Sequence, residues 1–186
     1  KLREFYRQAD IWAPEKMRFR GYVFRLPDGR MVKIRRKMEI HELRKMCVKL
    51  VPVDCYVTAT QWVSPEMFQG YEMHHAGYEW ISNAIIGSDF VVDVDSKVFE
   101  GGMDAAFGML SRIHDYLKGM GYQEFYFART GRGFHLWCLD WWEKNHDRDD
   151  SRPLDRLFYY RGKKIEHVRA MVSEGLVFDW RCSIDM

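Results

Sequence analysis

Cysteine is scarce in this chain, and its spacing has no metal-binding order. The 186 residues contain four: Cys47, Cys55, Cys138 and Cys182. No two form a C-x-x-C pair, so a zinc knuckle is not indicated. They read as reduced, half-buried thiols of an intracellular protein. Long apolar runs are missing as well. No stretch is long enough to cross a bilayer as a helix, and no secretory signal pattern follows the first residue, Lys1. An excess of one charge is also absent. The formal net charge is +2, which excludes a polycation, so any nucleic-acid surface has to be local. The N-terminal third is the candidate, with Arg18, Arg20, Arg25, Arg30, Lys33, Arg35, Arg36 and Lys37 close together. Arg18, Arg20, Arg35 and Arg36 could follow nucleic-acid phosphates. A solvated basic hairpin is the competing reading. There is no internal repeat and no low-complexity segment. A chain of this length forms one large domain or two small ones, with core enough to do without staples.

The elements follow from pattern. "GYVFRL", the Pro27-Asp28-Gly29 turn and "MVKIRR" make a hairpin. Ile40, Leu43, Cys47 and Leu50 recur at helical spacing over about 39–50, with Pro52 beyond the end. "CYVTAT" reads as a strand, and 61–87 is less regular. After that comes a strand at 89–95. A helix over about 103–118 follows, with Met103, Ala106, Phe107, Leu110, Ile113, His114 and Leu117 on one face and Gly119 and Gly121 to stop it. The stripe Phe107, Leu110, Ile113 and Leu117 is expected to be core. "EFYFART" and "FHLWCL" are strands joined by a tight "GRG" turn. "EKNHDRDDSR" reads as a solvated loop, about 163–174 as a helix ending at Gly175, and "LVFDW" as the last strand. The order is β-α-β-β-α-β, the ferredoxin-like arrangement, in which the first strand lies between the third and the fourth. His135 and Asp179 then become neighbours of Asp93 and Asp95.

The strand "DFVVDVDS", Asp89 to Ser96, carries the sharpest signal. Alternation puts Asp89, Val91, Asp93 and Asp95 on one face and Phe90, Val92 and Val94 on the other. Two carboxylates two residues apart repel each other unless a divalent cation lies between them. Mg²⁺ and Mn²⁺ prefer such oxygens and keep positions open for phosphates. A pair of these ions suits nucleotidyl transfer. An exposed strand end with both aspartates solvated is the alternative. Asp89 reads as a strand-start residue. "TGRGFHLW", Thr130 to Trp137, adds a glycine turn whose N–H groups can cradle phosphate, with Arg132 and His135 as further donors. It lacks the Gly-Lys-Ser/Thr ending of a Walker A loop. It is no dinucleotide fingerprint either, because Leu136 takes the third glycine position. An ordinary hairpin turn with a packed histidine is the competing reading. Trp137 could stack a base or sugar, or simply pack. His74-His75 has no evident third ligand, and Trp141-Trp142 packs under a loop or forms a partner surface.

Taken together, "GSDFVVDVDS", "TGRGFHLW", "DWRCSID" and the opening "FYRQADIWAPEKMRFRGYVF" resemble the catalytic small subunit of the archaeo-eukaryotic DNA primases, in motif order and spacing, over nearly the whole chain. The resemblance implies an α+β prim-pol fold. In it an N-terminal α/β module, 1–87, packs on an RNA-recognition-motif-like or ferredoxin-like module, 88–186, that carries the metal site. Asp93, Asp95 and Asp179 match the catalytic metal-binding aspartates. Thr130, Gly131, Arg132, Gly133 and His135 match the nucleotide-binding turn, and Asp185 matches a last, non-catalytic acidic position. The implied cofactor is Mg²⁺ or Mn²⁺ in a two-metal site. The implied partners are single-stranded DNA template, NTP or dNTP and a primase large subunit, with no membrane. The implied setting is cytoplasmic and nucleoid-associated, in an archaeon or an archaeal mobile element. The turn is one residue shorter than the family's Ser-Gly-x-x-Gly-x-His form, with Thr130 for Ser, so Arg129 is the alternative to Arg132. Lys97 stands where an acidic residue is frequent. The family's zinc-binding cysteines are absent, and no structural zinc is expected. The family has a basic residue and a further histidine beyond the third motif. On that reading the nucleotide site needs residues past Met186. Plasmid-type primase-polymerases and end-joining polymerases share these motifs, and an RNA-binding module is the reading from another class.

Overall fold

The computed structural model describes residues 1–9, 20–34, 38–62, 85–145, 153–176 and 182–184. The chain is α+β and divides into two compact units, Lys1–Gly87 and Ser88–Met186.

In the first unit α1 (Leu2–Gln8) precedes the hairpin of β1 (Tyr22–Arg25) and β2 (Met31–Ile34). Tyr22 pairs with Ile34 and Arg25 with Met31, around the expected turn. α2 (Ile40–Leu50) starts at Glu39, whose N–H donates to Glu42 Oε2 at 3.1 Å, half of a capping box. The "CYVTAT" strand resolves into two, β3 (Asp54–Val57) and β4 (Thr60–Trp62). β3 joins the hairpin in the order β2-β1-β3, and β4 pairs with β5 (Ile85–Ser88). Tyr22, Phe24, Met38, Leu43 and Cys47 form the core between α2 and this sheet.

The second unit begins with β6 (Phe90–Asp95) and a single 3-10 turn, Ser96–Val98. Then come α3 (Gly102–Gly119), β7 (Phe125–Arg129), β8 (Gly133–Cys138), α4 (Trp141–Asn145), α5 (Pro153–Ser173) and β9 (Cys182–Ile184). The sheet order is β7-β8-β6-β9, all antiparallel, so β6 lies between β8 and β9. Phe90, Val92 and Val94 of β6, with Leu136 and Cys138 of β8, point to one face. Ala106, Leu110, Ile113 and Leu117 of α3 and Met171 of α5 cover that face, all 0% exposed. At about 25 cal/mol per Å² of apolar area removed from water, this layer is the main stabilising contribution of the unit. α3 stops because Gly121 takes φ +95, which lets Tyr122 N–H reach back to the Leu117 carbonyl at 3.3 Å.

Three expectations are corrected here. Phe107 is 49% exposed rather than core. The sheet covers the Met109 side of the helical stripe, and Phe107 leans on Phe134 from the rim, ring centroids 5.4 Å apart. The loop expected from residue 143 begins as the short helix α4. It opens with Trp141, fully buried and stacked on Phe90 at 5.9 Å, so Trp141 is core and not partner surface. Helix α5 starts at Pro153, ten residues before the expected 163. Proline is favoured at a first helical position, and Gly162 sits inside the helix with open space where a Cβ would be. The described final strand is Cys182–Ile184; residues 177–181 of "LVFDW" lie outside the described residues.

Candidate functional site

Strand pairing assembles the candidate residues. β6 and β8 run antiparallel with Asp93 opposite His135 and Asp95 opposite Gly133. Residues opposite each other in such a ladder project to the same face. Asp93, Asp95 and His135 therefore share the sheet face away from α3 and α5. His135 Nε2 lies 3.3 Å from Asp93 Oδ1, and the two side chains are 36% and 48% exposed. Water therefore reaches this pair. On the other flank of β6, Ser183 of β9 stands opposite Asp93 in register. Asp179, expected there, lies outside the described residues, as do Asp185, His74 and His75.

Asp95 ends the strand and caps the following 3-10 turn, its Oδ1 accepting from Lys97 N–H at 2.9 Å. The next residue ties the carboxylates to the glycine turn. Ser96 N–H and Ser96 Oγ both donate to the Arg132 carbonyl, at 2.8 and 2.5 Å. The turn itself is a two-residue hairpin loop, with Thr130 N–H donating to the Gly133 carbonyl at 2.9 Å and Arg132 N–H to Thr130 Oγ1 at 3.3 Å. Those two N–H groups point within the turn. The two loop residues, Gly131 and Arg132, are both exposed. Gly133 has a different reason to be glycine. A Cβ there would lie 1.9 Å from the Val94 carbonyl oxygen. It is the close approach of two strands that requires it.

Trp137 and Tyr126 are opposite each other across β8 and β7, on the same face as His135, and both are half-buried. The basic N-terminal set fares differently. Arg20 is 1% exposed and its guanidinium donates to the carbonyls of Thr58 and Ala59, at 2.7 and 2.8 Å. It is a structural clamp, not a phosphate contact. Arg25 pairs with Asp54 and Arg30 with Asp28. Arg18, Arg35, Arg36 and Lys37 lie outside the described residues.

Sequence reasoning missed the buried polar groups. Asp89 is 0% exposed, Asp140 5% and Lys164 2%. Asp140 accepts from Gln123 N–H at 2.9 Å and pairs with Lys144 at 3.1 Å, which fixes the start of α4. Those hydrogen bonds hold its carboxyl below the usual range although burial pushes it up. Lys164 Nζ donates to Ser88 Oγ at 2.7 Å and lies over the Trp141 ring. Burial, helped by the nearby Asp140 and Asp89, raises the Cys138 thiol far above its ordinary value. Asp140 is held by Lys144 four residues on and by Gln123 just before β7, whereas Lys164 finds its partner Ser88 far away in sequence.

Chemically, the Asp93 and Asp95 oxygens are hard donors of the kind that hold Mg²⁺ or Mn²⁺ jointly with a substrate's phosphates. Among the described residues, no three His, Cys, Asp or Glu side chains gather into a fuller metal group. No family model matches this sequence, and no curated protein is significantly similar to it.

Proposed function

We propose that this chain is a metal-dependent nucleotidyltransferase of the primase type, with the prim-pol fold, making short primers de novo on single-stranded DNA. The observation that carries the reading is the junction of β6 and β8. There Asp93 faces His135, Asp95 faces Gly133, and Ser96 binds the Thr130–Gly133 turn through the Arg132 carbonyl. Acidic residues and phosphate-type donors are thereby held side by side on one rigid sheet.

Asp93 and Asp95 would hold Mg²⁺ or Mn²⁺, together with Asp179 as the family resemblance implies. Such an ion, when bound, neutralises triphosphate charge and lowers the pKa of an attacking hydroxyl. The Lys97 N–H keeps the Asp95 carboxylate oriented. His135 and the Arg132 guanidinium donate to phosphate oxygens, and the Thr130 hydroxyl can donate beside them. The residues act by positioning and charge complementarity rather than covalent chemistry.

Primer synthesis on single-stranded DNA with labelled NTP or dNTP tests this. Asp93→Asn should abolish product while leaving the circular dichroism spectrum unchanged; full synthesis by that variant would sink the proposal. Extension of a supplied primer without de novo initiation would favour the plasmid-type or end-joining polymerases. A non-catalytic RNA-binding module is the second reading, and the Tyr126–Trp137 pair on the carboxylate face favours it, since such sheets stack bases on aromatics. Tight RNA binding that persists in a chelator would select it.

A further inference from the structure

We propose that two copies of this chain associate edge to edge through β7, antiparallel, so that their β7-β8-β6-β9 sheets run on as one. β7 ends its sheet, and among the described residues no strand lies on its outer side. The register tells which backbone groups face that side. Thr130 N–H donates to the Gly133 carbonyl at 2.9 Å, and Leu139 N–H to the Glu124 carbonyl at 2.8 Å. In an antiparallel ladder such bonded pairs recur at every second residue. Glu124, Tyr126, Ala128 and Thr130 therefore turn their N–H and C=O groups to β8. Phe125, Phe127 and Arg129 turn theirs outward, and no described residue hydrogen-bonds to those groups.

Sheet edges are ordinarily blunted by proline, lysine, a bulge or brevity. β7 reads FYFAR, without proline or lysine, and its pairing with β8 is unbroken from Phe125 to Arg129. Its rim is also apolar. Phe127 stands opposite Leu136, on the face that α3 covers, yet it is 39% exposed. It leans on His114 of α3, ring centroids 5.2 Å apart, and the same helix exposes Phe107. Unused backbone donors beside exposed rings are what strand addition uses: main-chain bonds hold the new strand and side chains select it.

The strand that fits is a second β7. With a two-fold axis through Phe127, Phe127 meets its own copy, and each Phe125 meets the other copy's Arg129. All three outward residues are then matched, each pair exchanging both N–H···O bonds. Each guanidinium lies against a ring. A slip of two residues leaves one outward residue of each copy unmatched, and a slip of four toward the C-terminal end sets Arg129 against Arg129, which like charges oppose. The charges along the strand are self-complementary too. Glu124 precedes β7 and Arg129 ends it, both exposed and without an ion pair among the described residues. The antiparallel register puts each Glu124 opposite the other copy's Thr130, next to its Arg129. On the far face Tyr126 meets Ala128, large against small. Both α3 helices stay on one side of the joined sheet and flank the Phe127 pair.

Sedimentation velocity of the full chain from about 1 to 300 µM should show a monomer–dimer equilibrium. Amide hydrogen exchange should slow at Phe125, Phe127 and Arg129 as the dimer forms. Phe127→Pro removes an outward N–H without touching a β8 bond, a place where an edge strand accepts proline. Two hydrogen bonds are lost per dimer, so association should weaken at least about tenfold, with circular dichroism to check the fold. Arg129→Glu changes only an exposed side chain, sets like charges beside Glu124, and should weaken association as well. A monomer at every concentration, the result expected if the edge receives another protein's strand, overturns the proposal. So does a dimer that both variants leave at native strength, or one that forms without slowing the three β7 amides.

Discussion

Gly133 shows how one residue can serve both stability and site. Any side chain there would enter the Val94 carbonyl, with the Val94 carbon at 3.0 Å and the Asp95 Cα at 3.1 Å. These are backbone atoms of the strand that carries the carboxylates, and they cannot yield without breaking the β6–β8 ladder. Gly133→Ala should destabilise the chain by about 3 kcal/mol or more, read from urea unfolding midpoints, and should displace Asp95. His167 makes a second prediction. Asn145 Nδ2 donates to Tyr122 Oη at 2.8 Å, and to the Trp141 carbonyl, so the tyrosine's own proton goes to His167 Nε2 at 2.8 Å. That bond needs a neutral imidazole with an unprotonated Nε2. Burial lowers the His167 pKa, with Lys163 adding and Glu166 opposing. Below about pH 6.5 the unfolded chain therefore binds a proton that the folded chain refuses. Stability from this group is full above that pH and declines as pH falls, until the folded histidine itself titrates. Unfolding midpoints measured down to about pH 5 should fall more steeply in the native chain than in His167→Gln.

At the level of elements, α3 shows why periodicity needs a partner surface to be read correctly. Leu110 is fully buried against β6 and β8, whereas Phe107, one position off the stripe, is half exposed. Leu110→Ala should cost about 2–5 kcal/mol through lost burial and the cavity left behind. Phe107→Ala should cost only about 1 kcal/mol, chiefly the edge contact with Phe134. Thermal or urea unfolding of the two variants separates them, and equal losses would place Phe107 in the core after all. α5 teaches the complementary lesson. The sequence pattern assigns its first ten residues, 153–162, to no element, and proline at its start helps fix where it begins.

Over the chain as a whole the formal net charge is only +2. Arg20, Arg25 and Arg30 are committed to carbonyl or carboxylate partners, so the basic stretch read from sequence is partly neutralised within its own unit. The functional weight of the proposed reading falls on the carboxylate face of the second unit. If that reading holds, a chelator should abolish primer synthesis and added Mg²⁺ or Mn²⁺ should restore it. Mn²⁺ should also raise the melting temperature of the native chain, by mass action on the folded state. The shift should vanish in the Asp93→Asn, Asp95→Asn double variant; a shift that survives places the ion elsewhere.

The sequence by itself determined the strand that carries Asp93 and Asp95, its apolar reverse face, the helix behind it and the glycine hairpin. Those features follow from periods of two and 3.6 residues and from turn chemistry, all local. Element order was enough to put β6 between the third and last strands of its unit. Only tertiary structure decided that His135 stands 3.3 Å from Asp93, that Gly133 is demanded by a carbonyl, and that Arg20 is a buried clamp. Each of these depends on what a distant segment places opposite a residue. Local pattern records the face a side chain occupies, but not the partner waiting there.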